Sequence, residues 1–196
     1  MQLSLTTERL ILKPHTIANL NWLNTLFNDP EEQYFNGDEP PKKNPESLKE
    51  TSQILERILN RPEDAGHIDY AIHNRETDEL IGCGMIAHID SYNRRCDLGI
   101  SMGFDKNNWG KGYGREALQA VIQYCFNELS LNRVGAEIYE FNTRSINLFQ
   151  GLGFQPEGRK KQYILKDGIF KDELLFSLVK ENWIKNGINK GQGDII

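Results

Sequence analysis

The chain has 196 residues and a mass of 22.6 kDa, enough for one domain that buries roughly 70% of the surface its unfolded form exposes. A formal charge of −5, with 38% hydrophobic and 10% aromatic residues, argues against a nucleic-acid surface, and no apolar run is long enough to span a bilayer. The same negative balance suits a cationic amine or a basic peptide terminus as partner.

Residues 1–12 carry Glu8 and Arg9 and no apolar run, which excludes a signal peptide and makes a cytoplasmic address the expectation. Residues 8–13 form a short apolar strand, Pro14 breaks it, and a helix follows over 16–27 with Thr16 as N-cap. Residues 36–45, rich in Pro, Asn and Gly, read as a loop that either walls a site or merely connects. A second helix spans 46–59. The pattern then alternates with period two over 68–73, 80–89 and 94–102, with turns at Glu76-Thr77-Asp78 and Tyr92-Asn93. This is an antiparallel meander. A helix over 112–129, a strand over 133–139 and a short helix over 144–152 ended by Gly153 come next. Strands at 159–165 and 172–179 flank the hairpin signal Lys166-Asp167-Gly168. The order describes an α+β domain over residues 1–183, and the tail 184–196 is expected to fray.

Cys83, Cys96 and Cys125 are odd in number and widely spaced, which fits buried thiols and neither a disulfide frame nor a zinc site. The four histidines lack ligand spacing, and no metal is expected.

One stretch points to chemistry. In Asn108-Trp109-Gly110-Lys111-Gly112-Tyr113-Gly114-Arg115-Glu116-Ala117-Leu118, three glycines at alternate positions run into a helix. Leu118, Val121, Ile122, Cys125 and Leu129 line one face of that helix, which is core. A helix start offers unpaired N–H groups and a positive dipole end, and glycines let an anion approach both. No Gly-Lys-Ser or Gly-Lys-Thr closes the loop as in a P-loop, and the third glycine of the dinucleotide fingerprint is absent. The stretch therefore reads as a phosphate cradle of a different type, or as a loop whose glycines merely turn the chain.

Order and residues together resemble the GNAT superfamily of acetyl-coenzyme A-dependent N-acetyltransferases. WGKGYGREAL is similar to that family's pyrophosphate-binding signature of Arg or Gln, two residues, Gly, one residue, then Gly or Ala. Gly112 and Gly114 fill the small positions, and Trp109 stands where Arg or Gln is usual. That departure is typical of the branch acting on ribosomal-protein N-termini (alanine or serine), which also holds spermidine and small-amine acetyltransferases. LTTERLILKP, CDLGISMG, LNRVGAEIYEFNTRSINLFQGLGF and EGRKKQYILKDGIFKDELLFSLV resemble the same branch.

The resemblance implies a central twisted mixed sheet of about seven strands, largely antiparallel, with helices on both faces. It implies acetyl-coenzyme A as cosubstrate, no metal, and transfer of the acetyl group to a primary amine of a protein N-terminus or small molecule by direct attack in a ternary complex. A polyamine acetyltransferase and a non-catalytic acyl-coenzyme A-binding domain are the alternatives, and the protein is a monomer or homodimer. Coenzyme A is expected between the strand ending at Met102 and the strand starting at Arg133. Its pyrophosphate then lies on the N–H groups of Gly110, Lys111, Gly112, Tyr113 and Gly114 beside Trp109, and its thioester beside Ile100, Ser101 or Met102. Lys111 and Arg115 either add charge or are solvated. Asn142 is expected to bond the pantetheine arm, cap the following helix, or both. Asp97 is the favoured general base, with His88 and Asp90 in reserve. Relatives often carry an acidic Tyr in the short helix; here Phe149 stands at that cofactor-side position, so Ser145 or a water is left to protonate the leaving thiolate.

Overall fold

The computed structural model describes residues 3–36 and 46–185. Most of the expected loop at 36–45, and the expected frayed tail from residue 186, lie outside the described residues. Eight strands, β1 (Leu5–Thr6), β2 (Leu10–Lys13), β3 (Ile68–Asn74), β4 (Leu80–Asp90), β5 (Arg95–Ser101), β6 (Arg133–Tyr139), β7 (Gln155–Lys166) and β8 (Ile169–Val179), form one open sheet. Its order is β1-β2-β3-β4-β5-β6-β8-β7. Every pair is antiparallel except β5 with β6. The helices are α1 (Leu20–Asn28), α2 (Pro30–Asn36), α3 (Leu48–Leu59), α4 (Tyr113–Asn127), α5 (Thr143–Gly151) and α6 (Lys180–Lys185).

Strand parity assigns the two faces. Cys96 and Leu98 of β5, Val134 and Ala136 of β6, and Tyr70 and Ile72 of β3 point into a core shared with Leu118, Val121, Ile122 and Cys125 of α4. Their neighbours in sequence, Asp97, Gly135 and Ala71, face the side where α1 and α3 pack together. Because β3 is covered on both faces, it reads as a nearly continuous buried run. The Cys96 and Cys125 thiols meet at 3.8 Å in the core, whereas Cys83 is only half-buried.

Local chemistry explains most boundaries. Ser47 and Glu50 form a reciprocal cap, so α3 begins at Leu48 rather than at residue 46. The helix expected over 16–27 opens as a 3-10 turn at Ile17–Asn19 before α1. Asp167 and Gly168 have φ of 51° and 75° between Lys166 and Ile169, which face each other in register; this is the two-residue turn that Asp-Gly favours. Three features depart from the sequence reading. Helix α2 was not expected; it starts on Asp29, whose Oδ1 accepts from Glu31 N and Glu32 N. β7 starts at Gln155, ahead of residue 159, with an irregular register at Pro156 and Gly158 that hides it from alternation. The chain stays helical past residue 183, with α6 running to Lys185 and Trp183 buried against Phe126 at 5.1 Å, so the described tail begins ordered and not frayed.

Candidate active site

The sheet is split in its middle. β5 and β6 pair only at Arg95 with Arg133, Cys96 with Val134 and Asp97 with Gly135. Beyond Asp97 and Gly135 the strands run on to Ser101 and Tyr139 without pairing each other. At the point of divergence Asp97 Oδ1 lies 2.3 Å from where a Cβ on Gly135 would sit, so a larger residue there would push the Asp97 carboxylate aside. The opening holds a cavity of about 510 Å³ on the α4 side and another of about 520 Å³ on the α1 side. Glu32, Phe35, Ile100, Ser101, Asn142 and Ser145 line both. The two chambers meet there.

The wall of the α4-side cavity is built from the glycine loop. Gly110 and Gly112 adopt φ of 71° and 83°, the left-handed region, and Gly112 is the N-cap of α4. The first intrahelical bond runs from Glu116 N to Gly112 O, so the N–H groups of the preceding residues have no partner within the helix. A Cβ on Gly114 would press on Met102 Cγ at 3.3 Å, closing the approach between helix and strand. This fits a diphosphate, whose oxygens can reach the free amides and the dipole end.

Three contacts hold the loop in shape. Glu116 accepts from Thr7 Oγ1, Arg9 N and Arg9 Nε at 2.6 to 2.8 Å. Burial pushes the Glu116 pKa up, but those hydrogen bonds outweigh it and hold the carboxyl below its ordinary value. Arg9 Nη1 also donates to Lys111 O at 2.9 Å, and its guanidinium lies over the Tyr113 ring. Trp109 Nε1 donates to Gly103 O at 3.0 Å, and its ring carries the Arg144 guanidinium 4.3 Å from the centroid. Arg144 and Lys106 then clamp Glu31 of α2 at 2.6 and 2.9 Å. The hydrogen bond from Lys106, then that from Arg144, draw the Glu31 pKa down.

Of the expected cofactor residues, Ile100, Ser101, Met102, Trp109, Gly110, Gly112, Tyr113, Gly114, Arg115 and Asn142 come together around the α4-side cavity, with Ser145 beside them. Lys111 does not line it, and its carbonyl is turned to Arg9. Phe149 also lies elsewhere: its ring is buried edge-on against Phe154 at 5.0 Å and reaches only the α1-side cavity. Its position four residues after Ser145 put it one helical turn deeper than the cofactor wall. Asn142 is the N-cap of α5, with Oδ1 accepting from Ser145 N at 3.1 Å.

The α1-side cavity has a different character. Five carboxylates line it, Glu32, Asp69, Asp97, Glu137 and Glu173, with His15 and His88; no Lys or Arg does among the described residues. Asp97 Oδ2 lies 3.0 Å from His88 Nδ1, which a register irregularity of β4 and a φ of 51° turn toward it. Glu137 and Glu173 share Lys160 Nζ at 2.5 and 2.8 Å. Burial pushes the Glu173 carboxyl above its usual range and depresses His15, whose Nδ1 has no hydrogen-bond partner among the described residues. Cys83 lines the same chamber, its thiol pushed up to about 12 by burial. Asp90 is tied up at the β4–β5 turn by Asn93, away from either cavity.

Sequence reasoning did not find Arg9, Glu116 and Arg144. No motif spacing links them to the site; their partners stand 107 to 113 residues away, and only the folded chain brings them together.

Comparison with known proteins agrees with this architecture. The acetyltransferase (GNAT) domain profile matches residues 9–155. The uncharacterized N-acetyltransferase p20 of Bacillus licheniformis is 32% identical over 180 residues, covering 92% of this chain and 98% of the relative. The ribosomal protein uS5-alanine N-acetyltransferase of Escherichia coli is 33% identical over 117 residues, 58% of each chain. Among solved structures, spermidine N-acetyltransferase from Vibrio cholerae, in complex with coenzyme A and spermine, superposes with a TM-score of 0.78. That likeness covers 91% of this chain and 99% of the other at 18% identity, and so speaks for the fold alone. With a glycine cradle at a helix start, a sheet split beside it and a family profile over most of its length, the chain belongs to the GNAT family and is an acetyl-coenzyme A-dependent N-acetyltransferase.

Proposed function

We propose that the protein moves the acetyl group of acetyl-coenzyme A to a primary amine, on a protein N-terminus or a small molecule, by direct attack in a ternary complex. The observation that carries this reading is the pair of chambers meeting through the split sheet. The donor's pyrophosphate would lie on the free amides around Gly112 and Gly114, with its arm running between β5 and β6. The thioester then reaches the junction from the α4 side while the amine enters from the α1 side. Holding both reactants in place can supply about 7–11 kcal/mol of the barrier, more than any single acid or base.

The reaction balances simply. The ammonium loses one proton, the free amine forms a C–N bond to the thioester carbon, the C–S bond breaks, and the nitrogen's second proton ends on the departing sulfur. A coenzyme A thiolate leaves well, so protonation by Ser145 or water is needed only weakly. What supports a part for Asp97 and Ser145 is their place on the chamber walls.

Lys160 reaches Glu137 and Glu173, and Arg61 reaches Asp69, so two cations face five carboxylates among the described residues; the negative excess favours an acceptor that is cationic beyond the reacting nitrogen. A polyamine is the second reading on that ground. The experiment is thiol release from acetyl-coenzyme A with a panel of N-terminal peptides, basic and neutral, and of polyamines. Amine-dependent release is expected, strongest with cationic acceptors. Equal, amine-independent release across the panel would refute the reading.

A further inference from the structure

We propose that Glu32 of α2 is the group that takes the proton from the acceptor's ammonium. The inference rests on the two-chamber reading above and goes beyond it by assigning a residue. Among the described residues six line both chambers, and Glu32 is the only titratable one of the six. A base must stand where amine and thioester meet, within hydrogen-bond reach of the attacking nitrogen. Glu32 stands there. Asp97 lines only the α1-side chamber, with one oxygen on His88 and the other packed on the backbone of Gly135.

The carboxylate is also positioned. Ser101 Oγ accepts from Gly103 N at 3.1 Å and donates to Glu32 Oε1 at 2.7 Å. That chain links the carboxylate to the end of β5, the segment beside which the thioester is expected. Ser101 is thus a positioning residue. Helix α2 is fixed from its other side, where Glu31 is held by Lys106 and Arg144, and Arg144 stacks on Phe35. The contacts that grip the glycine loop and α5 therefore also place Glu32, which couples donor loop and base through one short helix.

In the step itself a lone pair of the Glu32 carboxylate takes one ammonium proton, leaving a neutral amine to attack. The proton on Glu32 passes to solvent after product leaves. Asp97 and the other three carboxylates hold the cation without accepting its proton. The other ionisable groups on the two walls are Glu31, Tyr113, Arg115 and Arg144 on the α4 side and His15, Cys83, His88 and Tyr139 on the α1 side; burial keeps Cys83 a thiol. An acid limb in the rate thus reports a carboxylate or an imidazole of the walls.

The test uses the full chain with the best acceptor from the panel. Glu32→Gln should lower kcat about 10²–10⁴-fold, with acetyl-coenzyme A affinity by calorimetry within threefold of wild type. Its rate should lose the acid limb and climb with pH as the amine itself deprotonates. Glu32→Asp should retain the limb with kcat reduced about tenfold, and it decides the matter should Glu32→Gln fail to fold. Asp97→Asn should keep the limb. Retention of full kcat and the wild-type profile by Glu32→Gln, or loss of the limb in Asp97→Asn alone, overturns the assignment. No amine-dependent release by the wild type would overturn the acceptor reading and this assignment with it.

Discussion

Replacing Gly112 by valine tests the cradle most directly. Gly112 sits at φ of 83° at the cap of α4, and the nearest atom to an added Cβ is Arg9 Nη2 at 3.5 Å, the movable end of a side chain. Space is therefore not the obstacle; the backbone is. A side chain in the left-handed region costs about 1–2 kcal/mol, which for a chain of this length corresponds to roughly 2–8 °C in Tm. The loop can relieve that strain by leaving the left-handed region, and doing so turns the amides around Gly112 away from the cavity. Losing two hydrogen bonds to a charged diphosphate, at about 1.5–3 kcal/mol each, weakens binding roughly 10²–10⁴-fold. Gly168 provides the control, since it has φ of 75°, open space around it and a place at the hairpin tip, outside both cavities. Gly168→Val should show a similar fall in Tm with unchanged affinity. Titration calorimetry with acetyl-coenzyme A and thermal melts of all three proteins read both effects. A Gly112→Val protein that binds within threefold of wild type would refute the backbone argument.

Other changes test the surroundings. Arg144→Leu removes an exposed ion pair and two ring contacts, together worth about 1–2 kcal/mol; Tm should fall by roughly 2–8 °C and KM for acetyl-coenzyme A should rise roughly fivefold to thirtyfold, and an unchanged KM would count against the clamp. Glu157 is held at a pKa of about 2 by its bond from Arg133, then by Ser177. A depressed carboxyl stabilises above its unfolded value, so Tm should fall between about pH 4.5 and pH 2, and Glu157→Gln should flatten that slope; parallel profiles would remove Glu157 as its source. The Tyr70 hydroxyl is buried without a partner among the described residues and lies 2.3 Å from where a Gly84 Cβ would be. Tyr70→Phe should leave Tm equal or raise it by a few degrees, since an unsatisfied buried hydroxyl costs about 1–3 kcal/mol, and a clear drop would show that the hydroxyl is bonded.

What could be read from the sequence is what is local. The apolar face of α4, the Asp-Gly turn and the Asn142 cap each depend on residues within a few positions of one another, so composition and spacing expose them. Helix α2 depends on Lys106 and Arg144 binding Glu31, and its seven residues are too few to be helical on propensity alone. The glycine loop running into α4 was legible, but not the Arg9–Glu116 contact that shapes it. The α1-side chamber was the least legible: its carboxylates come from α2, β3, β5, β6 and β8, each an ordinary polar position in its own strand or helix.

The three-residue seam between β5 and β6 gives the sheet two edges in its middle. Each inner edge keeps its outer neighbour, β4 on one side and β8 on the other, so the halves are hinged more than fused. An extended molecule carrying amides can lie between them as a substitute strand. A donor bound in that way does structural work as well as chemical: it knits two half-ladders into one. In the free protein, the amides of β5 and β6 that face the gap should exchange faster than those paired with β4 and β8, and slow when the gap is filled, because an unpaired edge opens first. The same gap proposed to admit the substrate is thus a line of weakness in the middle of the sheet.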